Sequence, residues 1–328
     1  MTLLRTRAPL AERSPHEATP PSTRRTDFRS RNDAKWFRLL TLPWLAGFVL
    51  LGAAPLAVGL VISLTNYNGI SPDLARFVGV NNYLRAFSDP NVAEAAVRTV
   101  VFVLCYVPLS FLIALSLALL INAGPHVRGV FRSLYYLPSV VPVVGAAYIW
   151  RAMFNQDTGV INSALRAINP QWGVAWFADF ATPSLVSMSL WLGLGLGTVM
   201  YLAALQNVPA ELEQAALVDG AGYFSRLRHI VFPLISPVAF FQILLALIYA
   251  LGVVVEPILL ATSSPLSPAN VPNDNVLLPV YTYQQMFTDQ RFGYASALLW
   301  ITFAGSVIVT LLLFATRRFW VYSESGNV

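Results

Sequence analysis

Few side chains in this 328-residue chain could make or break bonds. There is one cysteine, Cys105, and three histidines, His16, His126 and His229. One cysteine forbids an intrachain disulfide. One thiol and three scattered histidines do not assemble a Cys/His zinc site of the usual spacing. A phosphate-binding P-loop needs Gly-Lys-Ser/Thr, and the single lysine, Lys35, follows Ala34. Gly193-Leu-Gly-Leu-Gly197 has the glycines of a nucleotide turn, but no strand precedes it and no basic residue is near. Small residues at that spacing fit close helix packing in a membrane. His229 lies four residues after Ser225 and lacks a clear acid partner in sequence. The sequence therefore predicts no catalytic residue, no metal site and no cofactor bound by this chain.

The remaining chemistry is that of binding. Polar groups inside apolar segments are costly and face an interior or a cavity. Glu256, followed by Pro257, ends one such segment and is a candidate for contact with a solute; the plainer alternative is an interfacial carboxylate. Tyr249, Gln242, Asn207 and Gln206 are weaker candidates of the same kind.

The composition says what must position these groups. Only 11% of residues are charged and 56% are hydrophobic, with a mean hydropathy of +0.60. A soluble domain carries about 25% charged residues, so this chain cannot coat a water-facing surface and is expected to be integral to the bilayer. Six uncharged apolar runs follow one another: Leu39–Thr65, Thr99–Ile121, Ser133–Trp150, Thr182–Gln206, Ile230–Val255 and Phe292–Thr316. Crossing the hydrocarbon takes about 20 helical residues, and each run reaches that range, the third only just. Internal prolines such as Pro55, Pro108 and Pro237 are tolerated where neighbouring helices satisfy the freed carbonyls.

Basic residues orient the spans. With the N-terminus inside, cytoplasmic segments hold 15 Lys and Arg and outer segments hold four, Arg76, Arg85, Arg166 and Arg291. Both termini are then cytoplasmic. The net charge of +5 reads as a topology signal and an anionic-lipid contact rather than a nucleic-acid surface. Residues 1–38 form a basic cytoplasmic tail expected to be mostly disordered, residues 39–316 the six-span domain, and residues 317–328 a short tail. No cleavable signal peptide is expected.

The loop between the fourth and fifth spans, residues 207–232, has its own structure. Pro209 suits a helix start. Glu211 and Glu213 sit where the helix dipole favours negative charge. Leu212, Ala215 and Ala216 share one small face, and Gly220 suits the C-terminal cap. A second short helix from about Gly222 is expected to end near Arg226, Arg228 and His229. The bland reading of this helix–turn–helix is an amphipathic connector; the sharper one is a surface that seats in another protein's groove.

Here the residues resemble a known family, the permease subunits of binding-protein-dependent ABC importers, in their sugar branch (maltose and glycerol phosphate type). Gln214-Ala-Ala216, Gly220 and Ile230-Val-Phe-Pro233 match the spacing of that family's EAA loop, with Gln214 in place of its first Glu and Phe232 in place of Leu. Phe77-Val-Gly-Val-Asn-Asn-Tyr83, Arg132-Ser-Leu-Tyr-Tyr-Leu-Pro138, Leu190-Trp-Leu-Gly193 and Phe292-Gly-Tyr-Ala-Ser-Ala297 are similar to further family segments. The resemblance implies an all-α, six-span MetI-like fold. It implies a multi-pass subunit of a bacterial or archaeal cytoplasmic membrane, which is not itself an enzyme. Its partners would be a second homologous permease, two ATP-binding ATPase subunits and an extracytoplasmic solute-binding protein. It implies that Glu211, Leu212, Gln214, Ala215, Ala216, Asp219, Gly220 and Ala221 dock on the ATPase. It also implies that Trp191, Gly193 and Leu196 line the sugar path, with packing an equal alternative for Trp191. Gln214 leaves open any salt bridge that the family's glutamate makes. An ABC permease for peptides or amino acids, an ion-coupled secondary transporter and a membrane enzyme are the competing classes.

Overall fold

A computed structural model describes residues 31–124, 137–261, 269 and 271–322. The expected tail disorder before residue 31, the segment Arg132–Tyr136 and the Pro/Ser-rich stretch 262–268 lie outside these residues. Among the described residues all regular structure is helical, apart from one isolated bridge between Thr65 and Phe77. The chain divides into two compact units, Met1–Pro55 and Leu56–Val328.

Among the described residues five helices are long and apolar enough to cross a membrane: α1 (Lys35–Ser63), α3 (Pro90–Ala123), α6 (Ala181–Gln206), α8 (Tyr223–Leu251) and α11 (Phe292–Trp320). They carry five of the six expected spans. Of the third apolar run, the described part is helical at 137–140 and again, behind Pro142 as N-cap, in α4 (Val143–Met153). At 1.5 Å per residue α4 by itself accounts for about 17 Å of the roughly 30 Å core. Shorter helices among the described residues include α2 (Asn81–Ser88), α5 (Val160–Ile168), α7 (Ala210–Val218), α9 (Val255–Leu260) and α10 (Leu278–Phe287).

One helix start and one helix end differ from the sequence expectation. The second span begins at Pro90, not Thr99, because Asp89 caps it: its Oδ1 accepts the Asn91 N–H at 3.0 Å, and Pro90 occupies the first turn where no donor is needed. The short helix expected after Gly222 does not end near His229 but continues to Leu251. Within it lies a π-turn, Leu227–Val231, which ends two residues before Pro233. In the other unit a second π-turn, Val49–Ala53, likewise ends two residues before Pro55. A proline ring presses on the carbonyl four residues back and supplies no N–H. Widening that turn moves the carbonyl aside and lets the helix pass through.

In the larger unit α3 packs along α6, and α8 packs on both. The core between them is built from Phe102, Tyr106, Leu185, Met188 and Ala246 at one level and Ala114, Ala118, Tyr201, Ile235 and Ala239 at another. The Phe77–Tyr83 segment has a structural role: Asn82 Nδ2 donates to the Ser63 and Thr65 carbonyls at 2.8 Å each, satisfying groups left over at the end of the first span. Gly293 is required where α11 begins, since a Cβ there would lie 2.0 Å from the Thr65 carbonyl oxygen. The long segment after Glu256 forms α9 and α10.

Candidate functional site

The loop after α6 is a helix closed by a Schellman turn. Pro209 is the N-cap rather than the first helical residue, and Glu211 and Glu213 occupy the first turn. At the other end Gly220 has φ +78°, a left-handed conformation in which a side chain would be strained. The Gly220 N–H reaches the Leu217 carbonyl at 3.1 Å and the Ala221 N–H reaches that of Ala216 at 2.9 Å, which is the Schellman pair. Among the described residues nothing lies within 4 Å of a Cβ placed at Gly220, so the glycine is set by backbone conformation and not by their packing.

Around this turn the surface is unusually apolar. Val218 is 89% exposed and Phe224 81%, and Leu212, Leu217 and Tyr223 are exposed beside them. Glu211, Gln214, Ala215, Asp219 and Gly220 are exposed, and Ala216 and Ala221 half-buried. A patch of this kind rimmed by polar groups marks an interaction site. On the inner side Glu213, Tyr223 and Arg226 face Asn122 across a cavity of about 250 Å³. His229 Nδ1 lies 3.0 Å from the Ser225 carbonyl oxygen. Since a carbonyl only accepts, Nδ1 donates there and is not poised to take the Ser225 proton.

The second site lies between α3, α6 and α8. Ser189, Gly193, Gly197 and Tyr201 recur every four residues and share one face of α6. Tyr106 of α3 lies against Gly193, its hydroxyl 2.8 Å from where a Cβ would be. Gln242 of α8 lies against Gly197, with Nε2 2.8 Å from the same notional atom and the Ala114 methyl at 3.1 Å. The two glycines therefore allow polar side chains from neighbouring helices to reach the α6 backbone. Tyr249 packs its ring on Tyr106 at 5.1 Å and donates its hydroxyl to Glu256 Oε1 at 2.8 Å. The result is a polar seam from Glu256 through Tyr249, Tyr106 and Gln242 to Tyr201. Tyr201 Oη and Gln242 Oε1 are buried and meet no hydrogen-bond partner among the described residues. Such orphans cost about 1–3 kcal/mol each unless something else satisfies them.

The structure thus brings Gly193, Gln242, Tyr249 and Glu256 together, places Gly197 in the close helix packing expected for it, and adds Tyr106, Ser189 and Tyr201, which sequence reasoning had missed. The fourfold spacing on α6 was the available signal. Trp191 stands apart: its ring meets Trp150 edge-on at 6.4 Å, within an aromatic group that includes Phe154 and Trp176. Leu196 is 57% exposed. Gln206 and Asn207 are exposed beyond the seam.

A third polar group joins the opposite ends of the helices. Asp89 Oδ2 accepts the hydroxyls of Tyr281 at 3.0 Å and Tyr294 at 2.9 Å, and the Arg85 guanidinium lies over the Tyr294 ring at 5.0 Å. Burial works against the Asp89 carboxylate, but the hydrogen bonds from Tyr294, the Asn91 amide and Tyr281 outweigh it and hold the group below its ordinary range. Burial and the same carboxylate push Tyr281 up to about 12.

Comparison with known proteins agrees with this architecture. Residues 106–325 match the family described as binding-protein-dependent transport system inner membrane component. The chain is 30% identical over 288 residues to the probable ABC transporter permease protein YesP of Bacillus subtilis, covering 86% of this chain and 90% of that one. It is 29% identical to the diacetylchitobiose uptake system permease protein NgcF of Streptomyces coelicolor, covering 84% and 80%. It is 31% identical to the sn-glycerol-3-phosphate transport system permease protein UgpA of Yersinia pestis, covering 65% and 72%. A bacterial alginate ABC transporter, solved with its alginate-bound periplasmic protein, shares the fold at a TM-score of 0.75 and 20% identity over 88% of this chain and 95% of that one. This chain is a member of the family of binding-protein-dependent transport system inner membrane components.

Proposed function

We propose that this chain is the membrane subunit of an ATP-driven importer for a carbohydrate: a sugar, oligosaccharide, polyol or glycerol phosphate. It forms half of the path with a second homologous permease and receives cargo from an extracytoplasmic binding protein. It holds no cofactor of its own, and ATP is hydrolysed by two partner subunits. The observation that carries this reading is the continuity of α8: one helix begins beside the exposed loop helix and holds Gln242 and Tyr249 in the seam. The carbohydrate cargo is supported by relatives named for diacetylchitobiose, starch products and glycerol phosphate.

In this reading Glu211, Leu212, Gln214, Ala215, Ala216, Asp219, Gly220 and Ala221 seat in the ATPase. The apolar residues Val218 and Phe224, which the sequence did not single out, sit at the centre of that contact. Gly193, Tyr249 and Glu256 contribute to the solute path with Tyr106 and Gln242. Trp191 serves as packing against Trp150, and Leu196 is the remaining candidate for the partner-facing side. The test is uptake in cells carrying Val218→Asp or Asp219→Trp. Full insertion with uptake abolished is expected; unimpaired uptake overturns the docking assignment.

A further inference from the structure

The loop helix α7 is held at its two ends and nowhere between them. None of its residues from Ala210 to Val218 is buried. The cavity of about 250 Å³ separates it from the ends of α3 and α6 and from the first turns of α8. Two groups of opposite character face this space, Glu213 on α7 and Arg226 in the first turn of α8, and both are half-buried. They do not meet, since the one ion pair among the described residues is Arg98–Glu94. Arg226 Nε is buried and has no hydrogen-bond partner among the described residues. A guanidinium keeps its protons, so a buried donor on it calls for an acceptor. Glu213 is the one carboxyl group among the described residues that line the cavity. Its oxygens accept a hydrogen bond whether the group is ionised or protonated. Arg226 also stands immediately before the π-turn Leu227–Val231, so whatever holds it holds the loop side of that turn.

We infer that Glu213 and Arg226 are positioning residues that close on each other across this cavity. When α7 is pressed towards the spans, the Arg226 guanidinium donates to the Glu213 carboxyl, and α7 and the first turn of α8 then move as one body. This rests on the reading of α7 as the surface that seats in the ATPase. Three properties support it. A helix that stands off its neighbours across a cavity transmits a push poorly, because the open space takes up the displacement; a bridge across it removes that slack. The unpartnered Nε disfavours the open arrangement and the bridge satisfies it, which gives two discrete arrangements rather than a continuum. The walls also include Leu119, Leu205 and Val231, so closing the cavity buries apolar surface as the polar pair forms.

The test uses the complete complex, with both permeases, the ATPases and the binding protein, in proteoliposomes; the binding protein is used as purified from cells, with the solute it carries. Glu213→Arg and Arg226→Glu are compared with the double exchange. Each single change is expected to leave the ATPases co-purifying with the membrane subunits and to lower binding-protein-stimulated ATP hydrolysis at least about fivefold. The double exchange is expected to return it to within about twofold of the wild type. Because the two groups stand apart in this structure, the melting temperature of the detergent-solubilised subunit should show no such rescue. Full stimulation in either single variant, or a double exchange no better than the singles, overturns the latch. So does an equal rescue in the melting temperature, which marks a permanent pair. Loss of ATPase co-purification in Arg226→Glu means that Arg226 touches the ATPase itself; that overturns the latch and leaves the docking reading standing. Stimulation and co-purification that both survive Val218→Asp sink the docking reading, whatever the exchange gives. Where a reversed charge prevents insertion, Glu213→Ala, Arg226→Ala and their double take its place: a latch predicts a double no worse than the worse single, and additive losses overturn it.

Discussion

Tyr249 and Glu256 stand on either side of the break that ends α8, and their 2.8 Å hydrogen bond holds α9 against it. Tyr249→Phe removes the donor and leaves the carboxylate buried without it. The expected cost is about 1–3 kcal/mol of stability, read as a lower melting temperature of the detergent-solubilised subunit, together with reduced uptake. Glu256→Gln keeps an acceptor and should leave the melting temperature near that of the wild type.

Gly197 and Gly220 should respond in opposite ways. At Gly197 a side chain meets Gln242 at 2.8 Å and Ala114 at 3.1 Å, so Gly197→Leu forces α6 away from its neighbours. Overpacking of this kind costs about 1–3 kcal/mol, and lower thermal stability and yield are expected. At Gly220 there is open space, and Gly220→Ala carries only the left-handed strain of about 1–2 kcal/mol. Its yield in the membrane should stay near normal while stimulated ATPase activity falls. Equal losses of yield in the two variants would contradict this division.

Asp89 ties the start of α3 to α10 and α11. Asp89→Ala loses the cap and both tyrosine bonds, a loss of about 2 kcal/mol, measured by thermal unfolding. Because its carboxyl is held below the ordinary range, the clasp is intact above about pH 4 and weakens as pH falls through the lowered value. Tyr281, pushed up to about 12, loses its contribution at the other extreme, as pH rises from about 10 towards that value. Removing Asp89 should flatten the acid side of the stability profile.

Ser236 repairs the break made by Pro237. Pro237 offers no N–H to the Pro233 carbonyl, and Ser236 Oγ donates to that oxygen at 2.6 Å instead. The same hydroxyl accepts the Tyr322 N–H at 2.8 Å, which fastens the end of α11 to α8. Ser236→Ala should cost about 1 kcal/mol and increase amide exchange at Tyr322; unchanged exchange would show that the fastening carries no load.

The spans and the loop helix were legible because both write their period into sequence: long uncharged runs, and a proline-to-glycine helix with acidic residues in its first turn. The third span was the least legible, since Pro138 and Pro142 interrupt it. The run of α8 through Pro233 was hidden because proline reads as a stop, and a π-turn that accommodates it has no sequence signature of its own. The seam was half visible. Glu256 and Tyr249 stood out as polar groups in apolar surroundings, whereas Gly197 and Ser189 passed as ordinary packing residues. Their meaning appears only when Tyr106 and Gln242 arrive from helices about 80 and 50 residues away in sequence.

The π-turn in α8 has a mechanical consequence. From His229 to Tyr249 the helix runs 20 residues, about 30 Å at 1.5 Å per residue. A rotation of roughly 10° at that turn sweeps Tyr249 through about 5 Å, nearly a full helical pitch. Such a rotation would make the helix a lever with its fulcrum at the wide turn, its short arm at the loop and its long arm in the seam, so that a small displacement at the exposed loop patch would be multiplied by the ratio of the two arms.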